Sequence, residues 1–178
     1  MNSNPIDQST GQTPAPVSNM SSRRLQLVWS IRQEPEAVIK VAFASTDRTR
    51  VNQHFGAAEG FVVYEVTPDK ATLVGVAEFA EEAMDGNEDK LSAKVDFLEG
   101  CAAVYVMAIG TSAIKKLMAK GVQPIRINEI DAVDDLLSEI SKAMSDGGVA
   151  WIDRAIAAQT KAKAEDRFAS MAEEGWEG

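Results

Sequence analysis

Six of the seven residues in Val38-Ile39-Lys40-Val41-Ala42-Phe43-Ala44 are apolar, and they do not alternate with polar ones. A run of this length and continuity is what a strand covered on both faces looks like. A strand hidden on two sides needs a packed layer on each side, so the segment points the chain toward an α/β architecture. The rest of the sequence can be read for the elements that supply those layers.

Phe61-Val62-Val63-Tyr64-Glu65-Val66 is a second strand, Thr67-Pro68-Asp69-Lys70 a turn by composition, and Thr72 to Phe79 a third strand. The short connection predicts an antiparallel hairpin. Leu91, Val95 and Leu98 recur at i, i+4 and i+7, which predicts a helix ended by Gly100. Ala102 to Met107 is the fourth strand. Gly110-Thr111-Ser112 opens a helix with Thr111 or Ser112 as its cap and Ile114, Leu117 and Met118 facing inward. Val122 to Ile127 is the fifth strand, and Val133, Leu136, Leu137, Ile140 and Met144 form a helical stripe broken at Asp146-Gly147-Gly148. Trp151, Ile152, Ala155 and Ile156 begin a trailing helix. The order β-β-β-α-β-α-β-α gives a mixed five-stranded sheet with flanking helices and right-handed crossovers, the order of a ribonuclease-H-like sheet.

At 178 residues the chain suits one compact domain with tails. The expected division is an N-terminal tail at 1–37, an α/β domain at 38–146, and a C-terminal helix and charged tail at 147–178. Residues 1–22 are rich in Asn, Ser, Thr, Gln and Pro and bury too little apolar surface to offset chain entropy. The apolar stretch Leu25, Leu27, Val28, Trp29 and Ile31 reads as a short packed segment or a partner-binding patch.

The formal net charge of −9 argues against nucleic acid and against anionic membrane surfaces, because phosphate neutralisation supplies most of that affinity. One cysteine permits no internal disulfide, which fits a reducing compartment. No window approaches the roughly 18 apolar residues of a membrane span, and the N-terminus lacks the apolar core of a secretion signal. The expected location is the cytoplasm.

His54 is the single histidine, in the polar loop or short helix, Ser45 to Gly60, that follows the first strand. Ligands of open α/β sheets gather beyond the carboxyl ends of the parallel strands, where this loop should lie. Imidazole is a good iron ligand, although lone loop histidines are more often hydrogen-bonding or surface residues. Phe55 would anchor the loop, and Gly56 would permit a turn. Cys101 offers a soft thiolate ligand or a buried small hydrophobe. It starts a strand whereas His54 follows one, so parallel strands would hold the two at opposite ends of the sheet, and burial is the favoured reading. Gly110-Thr111-Ser112 places free N–H groups at a helix start on the same edge as His54. Glu78, Glu81, Glu82, Asp85, Glu88 and Asp89 lack the spacing of a calcium loop and read as a solvated acidic stretch suited to a basic partner. A metal-dependent hydrolase would need carboxylates on the first strand, which has none.

Several motifs together carry a family resemblance. Val41-Ala42-Phe43-Ala44-Ser45-Thr46-Asp47, Val51-Asn52-Gln53-His54-Phe55-Gly56, Asp85-Gly86-Asn87-Glu88-Asp89-Lys90-Leu91, Gly121-Val122-Gln123-Pro124 and Met171-Ala172-Glu173-Glu174-Gly175-Trp176 resemble the nitrogenase iron–molybdenum cofactor-binding family (NifX/NafY/NifY-like). The acidic run and the Glu-Glu-Gly-Trp ending point most narrowly to its NifX branch. The resemblance implies a ribonuclease-H-like fold without nuclease activity and no enzymatic role. It implies transient binding of an iron–sulfur precursor of the iron–molybdenum cofactor, carried or stored between the synthesising enzyme and the scaffold protein that matures it. His54 is then the candidate cluster ligand, and Phe55, Gly56, Arg48, Arg50, Gly110, Thr111 and Ser112 the candidate surroundings. Some relatives are expected to carry cysteines near the end of the fourth strand, where this chain has Val106 and Ile109, so a multi-thiolate site is not implied. The competing reading is an interaction or regulatory module of the nitrogen-fixation machinery that binds no cluster of its own.

Overall fold

The computed structural model describes residues 36–79 and 87–173. In chain order these form β1 (Ile39–Ala44), β2 (Arg50–Val51), β3 (Gly60–Val66), β4 (Ala71–Glu78), α1 (Asn87–Phe97), β5 (Ala103–Val106), α2 (Thr111–Ala119), β6 (Gln123–Arg126), β7 (Asp131–Ala132), α3 (Val133–Asp146) and α4 (Ala150–Glu173). The main sheet runs β4-β3-β1-β5-β6. β3 is antiparallel to β1 and to β4, whereas β5 is parallel to β1 and to β6. This is the mixed five-stranded, ribonuclease-H-like order expected from the apolar first strand and the hairpin after it.

Side chains of β1 alternate between two cores, as a pleated strand requires. Ala42 and Ala44 face a cluster with Phe55, Phe61, Leu98 and Leu117. Val41 and Phe43 face a second cluster with Val62, Tyr105, Leu136 and Ile152. Phe43 is fully buried and stacks on Tyr105 at a centroid distance of 5.3 Å. Burying one such side chain is worth about 1.5–3 kcal/mol, so the two faces together carry most of the sheet's stabilisation. The helical stripe Val133, Leu136, Leu137 and Ile140 is buried as its spacing predicted.

The structure corrects three local expectations. First, the loop after β1 is not wholly irregular: Arg50 and Val51 pair antiparallel with Ala132 and Asp131, making a two-stranded ribbon outside the main sheet. Second, neither Thr111 nor Ser112 caps α2. The N-cap is Gly110, with extended backbone and no side-chain cap bond, so Thr111 and Ser112 stand inside the first turn. Third, α2 buries Ala113 and Leu117, while Ile114 and Met118 are exposed. The inward face is set by the small Ala113, which lets the helix approach the sheet closely. The acidic residues Glu81, Glu82 and Asp85 lie outside the described residues.

Candidate functional site

The carboxyl end of β1 delivers the chain into a tightly bonded turn. The Asp47 Oδ1 accepts from the backbone N–H groups of Thr49 and Arg50, both at 2.9 Å, and from the Thr49 hydroxyl at 3.0 Å. Its Oδ2 receives the Arg50 Nε at 2.8 Å, with a guanidinium nitrogen at 2.7 Å. The backbone bond from Thr49 and the Arg50 pair hold the Asp47 carboxyl well below the usual carboxylate range. Arg48 sits at φ 66°, a left-handed conformation uncommon for a side chain of this size. Its N–H donates to Ser45 Oγ at 2.8 Å, and its guanidinium meets Glu78 at 2.8 Å. A groove of about 600 Å³ lies on this side, lined by Ser45, Thr46, Arg48, Gly60, Val76 and Glu78. His54 does not line it.

Beyond β2 the chain turns back toward the sheet. Met107 N–H donates to the Gln53 carbonyl at 2.9 Å, and Phe55 N–H donates to the Ala108 carbonyl at 2.8 Å. His54 lies between these two bonds, exposed. No side chain among the described residues hydrogen-bonds its imidazole. Phe55 is fully buried, with its ring 5.6 Å from that of Phe61. Gln53 Oε1 accepts from Glu59 N–H at 3.0 Å and Gly60 N–H at 3.3 Å, closing the loop on itself. Lys94 of α1 reaches the same loop from inside. Its Nζ donates to the Gly56 carbonyl at 2.6 Å and lies 3.4 Å from the Phe55 carbonyl oxygen.

Two residues past Ala108, the exposed Gly110, Thr111 and Ser112 begin α2. The helix start has no side-chain cap, so its first N–H groups have no side-chain acceptor there, an arrangement that favours anions. His54, Phe55, Gly56 and the α2 start therefore share the carboxyl edge of β1 and β5. Arg48 and Arg50 belong to the same edge, but each is engaged by a carboxylate rather than open to a ligand.

Cys101 stands elsewhere. Its neighbour Ala102 bonds to the Lys40 carbonyl at the start of β1, so the thiol lies at the opposite end of the sheet from His54, as the parallel strands imply. Cys101 is 6% exposed, and burial pushes its thiol up to about 11. Among the described residues no three His, Cys, Asp or Glu side chains cluster to hold a metal ion. No helix of the described residues is long and apolar enough to cross a membrane. The site thus offers one accessible imidazole and a set of uncapped backbone donors. Lys94 is the member of this constellation that sequence reading passed over, because a lysine interrupts an apolar pattern rather than announcing burial.

Residues 37–143 match the family model described as "Dinitrogenase iron-molybdenum cofactor". The chain is 44% identical over 158 residues to Protein NifX of Azotobacter vinelandii, covering 89% of this chain and 99% of that one. It is 32% identical over 142 residues to Protein NifX of Klebsiella pneumoniae, covering 79% and 85%. A match of 36% over 111 residues to the FeMo cofactor biosynthesis protein NifB of Frankia alni takes in 60% of this chain and 21% of that longer protein. The chain belongs to the dinitrogenase iron–molybdenum cofactor family, and within it to the NifX family.

Proposed function

We propose that this protein binds an iron–sulfur precursor of the iron–molybdenum cofactor and passes it from the enzyme that builds it to the scaffold that matures it. Family membership supports a part in making that cofactor. The observation that carries the finer reading is the placement of His54: an exposed imidazole on a loop anchored by Phe55, on the sheet edge that also holds the uncapped start of α2. The cluster is cargo rather than a resident group, and the protein catalyses no reaction on it.

In this reading the imidazole ligates iron, and the N–H groups at Thr111 and Ser112 donate to the anionic sulfide face. Arg48 and Arg50 act through the loop, since their charges are already matched by Glu78 and Asp47. A single side-chain ligand suits a carrier. Each 1.4 kcal/mol changes affinity about tenfold, so a site with few ligands releases its cargo to a scaffold that offers more. The test is anaerobic titration of wild type and His54→Ala with the isolated precursor cluster, followed by visible absorbance and paramagnetic resonance. Weaker uptake by the variant is expected, and equal uptake would remove His54 from the site.

A second reading, an interaction module on the cofactor machinery, is favoured by one observation. Phe168 and Met171 are 73% and 70% exposed on the outer part of α4. It predicts complexes with the scaffold protein that form equally with empty and loaded protein, which a pull-down of both forms separates.

A further inference from the structure

Among the described residues Lys94 is the one charged side chain that is buried, 5% exposed. Among the described residues no carboxylate pairs with it. Its ammonium is instead met by the carbonyls of Phe55 and Gly56, and it lies 5.9 Å from the centre of the Phe79 ring. Burial and the neighbouring Lys90 push its pKa down, so the fold bears a cost for keeping a cation there. A buried cation is tolerated only where hydrogen bonds make up for its lost hydration, and here the two backbone carbonyls supply them. A lysine at this place is therefore poorly explained by packing alone.

What the ammonium does to the loop follows from peptide geometry. In a trans peptide the N–H points opposite to the C=O. With the Phe55 and Gly56 carbonyls drawn toward Lys94, the N–H groups of Gly56 and Ala57 face the other way, and both residues are exposed. No described group accepts a hydrogen bond from the Gly56 N–H. A cation at the carbonyl end also polarises the peptide and strengthens its N–H as a donor.

We propose that Lys94 is the positioning residue of the His54 loop: from inside the domain it fixes the two peptides after Phe55, so that their N–H groups and the imidazole present one face to an anionic iron–sulfur ligand. This rests on the reading of His54 as a cluster ligand. Lys94 does not touch the cargo. A hydrogen bond from a charged group is worth about 1.5–3 kcal/mol, which corresponds to a roughly 10- to 100-fold effect.

The experiment has two arms. In the first, amide hydrogen exchange is followed by NMR in cargo-free wild type, Lys94→Met, Lys94→Gln and Lys94→Arg. Exchange at Phe55 should rise about tenfold or more in the Met and Gln variants and return toward wild type in Lys94→Arg, while β1 and β5 amides stay protected. Unchanged Phe55 exchange in both neutral variants would overturn the proposal, and having two of them covers the failure of either to fold. In the second arm, wild type, His54→Ala, Lys94→Met and the double variant are titrated with the isolated precursor cluster. Lys94→Met should weaken uptake when His54 is present and add nothing when it is absent. An equal loss in both backgrounds would make Lys94 a merely structural residue and sink the idea. If wild type itself takes up no cluster, the carrier reading fails, while the exchange arm still decides whether Lys94 holds the loop.

Discussion

The Phe55 amide donates to the Ala108 carbonyl at 2.8 Å, and through this bond the loop after β1 is fastened to the strand end after β5. The bond holds because the Phe55 ring is sealed in the core beside Phe61. Phe55→Ala should therefore cost about 3–5 kcal/mol, as large-to-small aromatic truncations do. Phe55→Leu should cost much less, and urea denaturation of both variants checks the order. If the alanine variant kept wild-type stability, the ring would not be the anchor of the loop.

Asp47 governs acid behaviour at the same edge. Its folded-state pKa is depressed by the Thr49 backbone bond and by Arg50. A depressed carboxylate stabilises the fold above its unfolded value and loses that contribution as pH falls toward the folded one. Asp47→Asn should thus melt lower than wild type at pH 7, with the gap closing below about pH 4. A gap that persisted unchanged at pH 3 would contradict the assignment.

Cys101 should be chemically quiet. With its thiol at about 11, it holds roughly a hundredth of the thiolate of a thiol at 9 near neutral pH, before burial limits access. Iodoacetamide at pH 8 should label it slowly in the native protein and readily in urea, as read by intact mass. Because this pKa is raised, Cys101 also stabilises the fold below about 9 and loses that contribution as pH rises toward 11.

Gly60 lies where β3 leaves the His54 loop. A Cβ there would meet the Ser45 carbonyl oxygen at 2.8 Å and that of Ala77 at 3.3 Å, both backbone atoms that cannot swing aside. Gly60→Ala should destabilise by about 1–3 kcal/mol. A variant as stable as wild type in thermal melts would show that β1 and β4 can part at this point without loss.

Much of the architecture was written in apolar spacing. The run ending at Ala44, the hairpin at Thr67-Pro68-Asp69-Lys70 and the stripe through Leu136 and Ile140 each reflect a local rule, and all three appear in the structure. The edge occupied by His54 followed from strand direction alone. What escaped was set by partners distant in sequence. Arg48 finds Glu78 thirty positions away because the β3–β4 register brings the end of β4 beside the turn. The β2–β7 ribbon is two residues long on each side, too short for any period to show. Lys94 was hidden by its charge, although it follows Leu91 by three positions on α1 and precedes Leu98, just past the helix end, by four, and both leucines pack in the core.

That small ribbon also gives the domain an order of assembly. The β3–β4 hairpin has all its partners once residue 78 exists, whereas Arg50 and Val51 must wait for Asp131 and Ala132, and Thr49 for Val133. Contacts spanning some eighty residues close late, because the loop entropy between them must be overcome first. On a growing chain the turn that leads to His54 is thus among the last places to reach its final form, after the sheet beneath it has most of its strands.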